Sequence, residues 1–292
     1  MKRVGKGLPG TLRRISSIPR RYGVRAAKMQ QRLRGMIDLL QSLEITPTIP
    51  ITARTLERHP EFGSELRAVD SAVHGYHHVA YAEMTPTEQQ RDLDSARQVF
   101  VRHGFPVRGF RAPYLSANGT TRELLSKAGF LYDSSEPRVM SAPDDPLMLR
   151  AQHLAALRYT DQDGSAHVTC RDGLVEIPVS LPDDEILVDG LGITSSETIT
   201  RVFDRMFDVA CTERSALVLQ IHPERFPLFV DAVRHISRRA ADSGAWKASL
   251  SEIADRTARA GESRKASFTL AVTGDLDAAT LWDFASRLWE RG

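Results

Sequence analysis

Two histidines four positions apart, in His74-Gly75-Tyr76-His77-His78, are the residues of this chain best suited to chemistry. On one helical turn they would share a face and could point at one cation, at about 2.0 to 2.1 Å for zinc. Two imidazoles do not complete a catalytic zinc, which takes three protein ligands and a water, and the same spacing also suits two polar loop residues. Other polar positions stand out because each follows an apolar run. They are Arg111 and Tyr114 in Arg111-Ala112-Pro113-Tyr114, Asp133 after Leu131-Tyr132, and His222 after Leu217-Val218-Leu219-Gln220-Ile221. Taken singly, they read as an ion-pairing arginine, a turn aspartate and a polar strand end.

The elements around these residues give them a common address. Met29, Leu33, Met36, Ile37, Leu40 and Leu43 fall at helical spacing, and the β-branched run Ile45 to Thr52 should follow as a strand, although Pro47 and Pro50 argue against a central one. A short run from Ala68 to His74 comes next. Thr85, Pro86 and Glu88 form a helix start expected to run to Gly104, and Thr120 with Glu123 repeats the capping pattern, with Gly129 as a stop. Leu174 to Val179 and Ala216 to Ile221 read as buried strands, separated by a helical stretch from Ser196 to Ala210. Strands alternating with helices point to βαβ units and a largely parallel sheet. In such folds chemistry gathers where the strands end.

The composition, with 292 residues and 41% hydrophobic content, allows one substantial core. Eleven Lys or Arg residues, Lys2 to Arg34, precede the first acid, Asp38, under a net charge of only +2. That arm suits a polyanion or an anionic membrane surface, or is simply a solvated extension. Nucleic-acid binding is disfavoured, because Tyr22 is the arm's only aromatic and no helix-turn-helix or zinc-finger spacing appears. No apolar run suited to a signal peptide follows Met1, and no stretch approaches the roughly 18 apolar residues of a membrane span, so the expectation is a soluble, cytoplasmic protein. Cys170 and Cys211, without CxxC spacing, read as two buried thiols.

Over roughly residues 36 to 258 the sequence resembles the polysaccharide deacetylase family, also called the NodB-homology or carbohydrate esterase 4 family. His74 to His78 matches its HxxxH metal motif and Arg111 to Tyr114 its RPPY-like motif. Gly129 to Ser134 matches the segment with the following Asp, and Leu217 to His222 the terminal strand ending in histidine. The resemblance implies a distorted (β/α) barrel that uses a divalent metal, commonly zinc, to remove acetyl groups from an N-acetylated (or O-acetylated) glycan or glycan precursor. It implies His74 and His78 as metal ligands, His222 as general acid, and the Tyr114 backbone N–H as an oxyanion donor. Arg111 would orient a carboxylate, with Asp133 the nearest candidate.

The first motif that the resemblance calls for is missing, and with it both of its aspartates. An apolar strand ending in TFDDG, which supplies the base and a metal-binding carboxylate, should precede the helix at Met29, where the chain has Ile18-Pro19-Arg20-Arg21-Tyr22-Gly23-Val24. Asp70 and the acidic run Glu176, Asp183, Asp184 and Glu185 are the substitutes within reach. Three readings follow: a divergent active deacetylase, a catalytically inactive carbohydrate-binding or scaffold relative, or a chain whose basic arm replaces the first strand. The expected organisation is an arm over 1–28, the deacetylase-like domain over 29–259, and a strand-helix appendage over 260–292.

Overall fold

The computed structural model describes residue 18 and residues 21–159, 167–260 and 268–286. Most of the basic arm therefore lies outside the described residues. The first long helix, α1 (Ala27–Ser42), forms as its periodicity predicts: Met29, Leu33, Met36, Ile37 and Leu40 are all buried along one stripe. Strands β1 (Thr48–Ile51), β2 (Asp70–Val73), β3 (Gly109–Phe110) and β4 (Tyr132–Asp133) then pair in sequence order, all parallel. Helices α2 (Ala53–Arg58), α3 (Gly63–Arg67), α4 (Pro86–Arg102) and α5 (Gly119–Lys127) lie between them in the chain. Pro50 is tolerated inside β1 because its ladder is not needed there. The regular pairing of β1 with its other neighbour covers Thr48 alone, while the Pro50 carbonyl still accepts from Leu276 N–H at 2.8 Å.

The second half curls the sheet. Strand β5 (Pro137–Val139) leaves the main sheet, α6 (Pro146–Arg158) follows, and the antiparallel pair β6 (Thr169–Arg171) and β7 (Leu174–Glu176) returns to β4. The single strand expected over Leu174 to Val179 is two: Pro178, which cannot donate to a ladder, separates β7 from β8 (Val179–Leu181), and β8 pairs with β5 instead. Helix α7 (Ser196–Glu213), strand β9 (Ala216–Gln220), helix α8 (Val230–Asp242), strand β10 (Trp246–Lys247) and helix α9 (Leu250–Ala260) complete the alternation. The result is a mixed α/β fold with a curled half-barrel sheet, the distorted (β/α) barrel expected.

The last strand departs most from expectation. Strand β11 (Thr269–Thr273) is not part of an appendage, because it lies inside the barrel, parallel to β9 over its whole length and to β10 and β1 on its other side. All five of its residues are buried. The short helix α10 (Leu281–Ser286) then meets the start of the chain: Leu281 N–H donates to the Gly23 carbonyl at 2.9 Å, and the Tyr22 and Phe284 rings lie 5.3 Å apart.

Smaller corrections have local causes. Helix α5 is capped by Asn118 and Thr121 rather than Thr120 and Glu123, since the Asn118 side chain reaches Thr121 N–H at 3.0 Å. Cys211 is exposed and Cys170 half-buried, so neither is the fully buried thiol expected. Among the described residues no helix is long and apolar enough to cross a membrane.

Candidate functional site

The parallel strands end together and so bring distant loops to one rim. In register, Gln220 lies beside Thr273, Ile51 beside Val73, and Val73 beside Phe110. The residues that follow are therefore neighbours: His222, Gly274 to Asp277, Thr52, His74 and Arg111.

His74 and His78 do not sit on a helical turn. Their segment is a bent loop in which Gly75 adopts φ +73°, and a Cβ at Gly75 would stand 2.9 Å from the His77 carbonyl. The two rings still approach, with centroids 5.2 Å apart. Asp92 of α4 holds this loop, accepting from Tyr76 N–H at 2.8 Å, His77 N–H at 3.1 Å and the Tyr81 hydroxyl at 2.6 Å. His74 Nδ1–H donates to the Arg111 carbonyl at 2.8 Å, which leaves Nε2 as the ring's lone-pair nitrogen. Burial holds this imidazole below its ordinary pKa, against the pull of Asp275 and Asp277. Nε2 is buried without a hydrogen-bond partner, 3.8 Å from the Asp275 carboxylate.

Arg111 is fully buried and needs an opposite charge beside it. That partner is Asp275, not Asp133: Nη1 donates to Asp275 Oδ1 at 2.9 Å and to Thr273 Oγ1 at 2.8 Å, while Nε and Nη2 bind the Ser134 carbonyl and hydroxyl. Gln220 Nε2 donates to the other Asp275 oxygen at 2.9 Å. Asp133 instead accepts from the Ser135 hydroxyl, and burial pushes its carboxyl up to about 6. The Arg111 charge is only the last of the influences acting on it.

Asp277 lies two residues on from Asp275, with Oδ2 3.2 Å from His78 Nε2. Tyr114 packs edge-on against His78, centroids 4.4 Å apart, from a loop in which Tyr114 and Leu115 both hold positive φ, a strained conformation for side chains of that size. Gly274 makes the approach possible: a Cβ there would lie 2.5 Å from the Ile221 carbonyl. An apolar strand, Thr269 to Thr273, runs into Gly274-Asp275-Leu276-Asp277, with one residue between the two carboxylates where TFDDG has none.

The chain matches the family profile described as polysaccharide deacetylase over residues 26–132. The structure is similar to that of a Mycobacterium smegmatis protein assigned as a polysaccharide deacetylase, at 25% identity and TM-score 0.59, covering 87% of this chain and 85% of that one. The chain thus resembles the polysaccharide deacetylase family in sequence over residues 26–132 and shares the fold of a structure so assigned. Two further structures share the fold. A Pseudomonas aeruginosa protein also assigned as a polysaccharide deacetylase matches at 17% identity, TM-score 0.57 and 80% and 74% coverage. The PuuE allantoinase matches at 18% identity, TM-score 0.55 and 75% and 70% coverage. No curated protein sequence matches the chain.

The remaining rim histidine is the most strongly held. His222 donates from its backbone N–H to Asp184 Oδ2 at 2.8 Å and from Nδ1 to Asp184 Oδ1 at 2.9 Å. Burial works against its charge, but the Asp184 carboxylate, by charge and by hydrogen bond, and then Glu224 hold the ring's proton well above the ordinary histidine range. The acidic run considered in the sequence thus contributes Asp184. Glu176 pairs with Arg122, and Asp70 is bound by Thr48 and Ser251 at the opposite ends of the strands.

A divalent cation can be tested against these residues. Among the described residues no group of three or more His, Cys, Asp or Glu side chains already stands in a metal-binding arrangement. The donor set is nevertheless of the right chemistry: two imidazoles with two carboxylates beside them, and a buried His74 Nε2 whose orientation is fixed through Nδ1 by a backbone carbonyl, as metal-bound histidines are.

Proposed function

We propose that this protein is a metal-dependent deacetylase acting on N-acetyl, or O-acetyl, groups of a glycan or glycan precursor. The reading is carried by one observation: Asp275, paired with Arg111, stands beside Asp277, paired with His78, at the rim that also holds His74. His74, His78 and Asp277 would hold the cation, giving the three protein ligands that leave a position for water. A divalent ion there supplies Lewis acidity, lowering the pKa of bound water and polarising the acetyl carbonyl.

Asp275 takes the water's proton as the oxygen attacks the carbonyl carbon, and Arg111 and Gln220 fix which way its carboxylate faces. The Tyr114 backbone N–H would donate to the developing oxyanion, the role the family resemblance implies for it. His222, kept protonated by Asp184, gives a proton to the departing amine or alcohol, so that an amine leaves as a neutral group.

The test combines metal analysis with acetate release from an N-acetylated glycan. Asp277→Asn, His74→Ala and His78→Ala should each lose both metal and activity. Asp275→Asn should keep the metal and lose roughly 100-fold or more in acetate release, the usual contribution of a positioned base. A wild type that neither binds a divalent metal nor releases acetate would instead favour a carbohydrate-binding or scaffold relative.

A further inference from the structure

Behind His222 lies a buried charge network larger than one acid and its partner require. Arg225, three residues past His222, is fully enclosed and touches four carboxylates: Glu224 at 2.8 Å, Asp189 at 2.9 Å, Glu185 at 3.3 Å and Asp184 at 3.4 Å. Two of these come from the π-helical turn Glu185–Gly190, which places Glu185 and Asp189 on the same side of the guanidinium. Asp189 is shared. Its other partner is Arg21, at the end of the basic N-terminal segment, which donates from Nη1 to Asp189 Oδ2 at 3.0 Å and from Nη2 to Oδ1. Tyr22 reaches Glu224 at 3.5 Å, and Arg32 of α1 donates to the Arg21 carbonyl.

The contacts form an unbroken path from Arg21 to Asp189, Arg225, Asp184 and finally the His222 ring. We propose that Arg21 and Arg225 are positioning residues for His222, so that the basic N-terminal segment governs the acid half of the site. This rests on the reading of His222 as general acid. The argument is one of divided attention. Arg225 is stretched over four carboxylates and makes its longest contact to Asp184, the one that orients His222. Arg21 neutralises Asp189 and so leaves more of Arg225 for Asp184. Without Arg21, Asp189 draws Arg225 toward itself, Asp184 faces His222 with its charge less compensated, and the imidazolium is held more tightly, which makes it a poorer proton donor.

The other charged and titratable groups around this pair are Asp183, with Tyr159 on it at 3.0 Å, Glu185, and Glu224 with Tyr22. Burial and the neighbouring Asp184 push Asp183 up to about 7. Asp189 is held below the ordinary carboxylate range despite its burial, by the Arg21 hydrogen bond and the Arg225 charge. Neither sets a direction opposite to that argued.

The experiment is an NMR titration of His222 in histidine-labelled full-length protein, with His222→Gln for assignment. It compares wild type, Arg21→Gln, Arg21→Lys and Asp189→Asn, with circular dichroism confirming the fold. The expected result is opposite signs: the His222 midpoint rises in Arg21→Gln, returns toward wild type in Arg21→Lys, and falls in Asp189→Asn, where Arg225 is freed for Asp184. A merely structural role would not produce that inversion. Superimposable His222 titrations in folded Arg21→Gln and Asp189→Asn proteins would overturn the proposal. Should Arg21→Gln not fold, the sign of the Asp189→Asn shift decides alone, a fall supporting the path and no change removing it. The titration needs no substrate, so an inert wild type would remove the deacetylase reading while the coupling is still read directly.

Discussion

A guanidinium with no solvent exposure must find its counter-charge inside the fold, and the partner that Arg111 finds decides how the rim is read. Because that partner is Asp275, removing the carboxylate leaves a buried cation uncompensated. Asp275→Ala should therefore cost about 3 to 5 kcal/mol in denaturant unfolding, while Asp275→Asn, which keeps an acceptor for Arg111, should cost distinctly less and isolate the catalytic loss. Asp133 behaves in the opposite way. Its carboxyl is pushed up to about 6 by burial, so the folded protein binds this proton more tightly than the unfolded chain does. The sign is then fixed: the stability this group contributes is present below the unfolded pKa near 4 and declines as pH rises through about 6. The stability of wild type relative to Asp133→Asn, measured by urea unfolding, should fall by on the order of 2 to 3 kcal/mol between pH 4 and pH 7. A flat difference would mean that Asp133 is not the buried acid drawn here.

At the scale of elements, the sequence exposed some features and hid others for reasons that can be named. Helix α1 and the Thr85 cap of α4 were legible because period and capping are local signals. The Asn118 cap of α5 was missed in favour of Thr120, a competitor two residues away with the same chemistry. The meeting of His74 with His78 was legible as a spacing but not as a helix, since it is Gly75 and the four donors on Asp92 that bend the loop. Asp275 and Asp277 carried a clear signal, an apolar run followed by two acids. Their place beside His74 and Arg111 is not legible, because strand order is a tertiary property that a run of residues near the end of the chain does not reveal. Strand β11 should accordingly be indispensable. Gly274→Val, which forces a side chain against the Ile221 carbonyl and the Met36 side chain, should lower Tm and metal retention together, whereas a valine at exposed Gly119, which likewise has no positive φ and has open space around its Cβ, should spare the metal.

For the whole molecule, the telling feature is where the two ends of the described chain lie. Gly23 and Thr280 form a parallel bridge, and Leu281 donates to Gly23, so the strand bearing the carboxylates runs spatially into the start of α1. Chains whose ends lie this close can tolerate a rotated order of their elements. A rearranged protein that begins near residue 268, joins residue 286 to residue 21 through a short flexible linker and ends near residue 260 should fold with the same circular-dichroism spectrum and retain whatever metal and acetate release the natural order has. Loss of folding in that variant, with the natural chain intact, would mean that the juxtaposition of the ends is not a seam.

The place of β11 in the chain also sets a timetable. A ribosome delivers β9, β1 and both imidazoles well before it delivers the strand that must slot between them, so for that interval the growing chain carries a barrel with a gap and two unsatisfied strand edges. The proposed hydrolysis requires Asp275 and Asp277, so it belongs only to molecules whose translation has passed Asp277. A product released early would be an open-edged, aggregation-prone fragment that lacks Asp275 and Asp277.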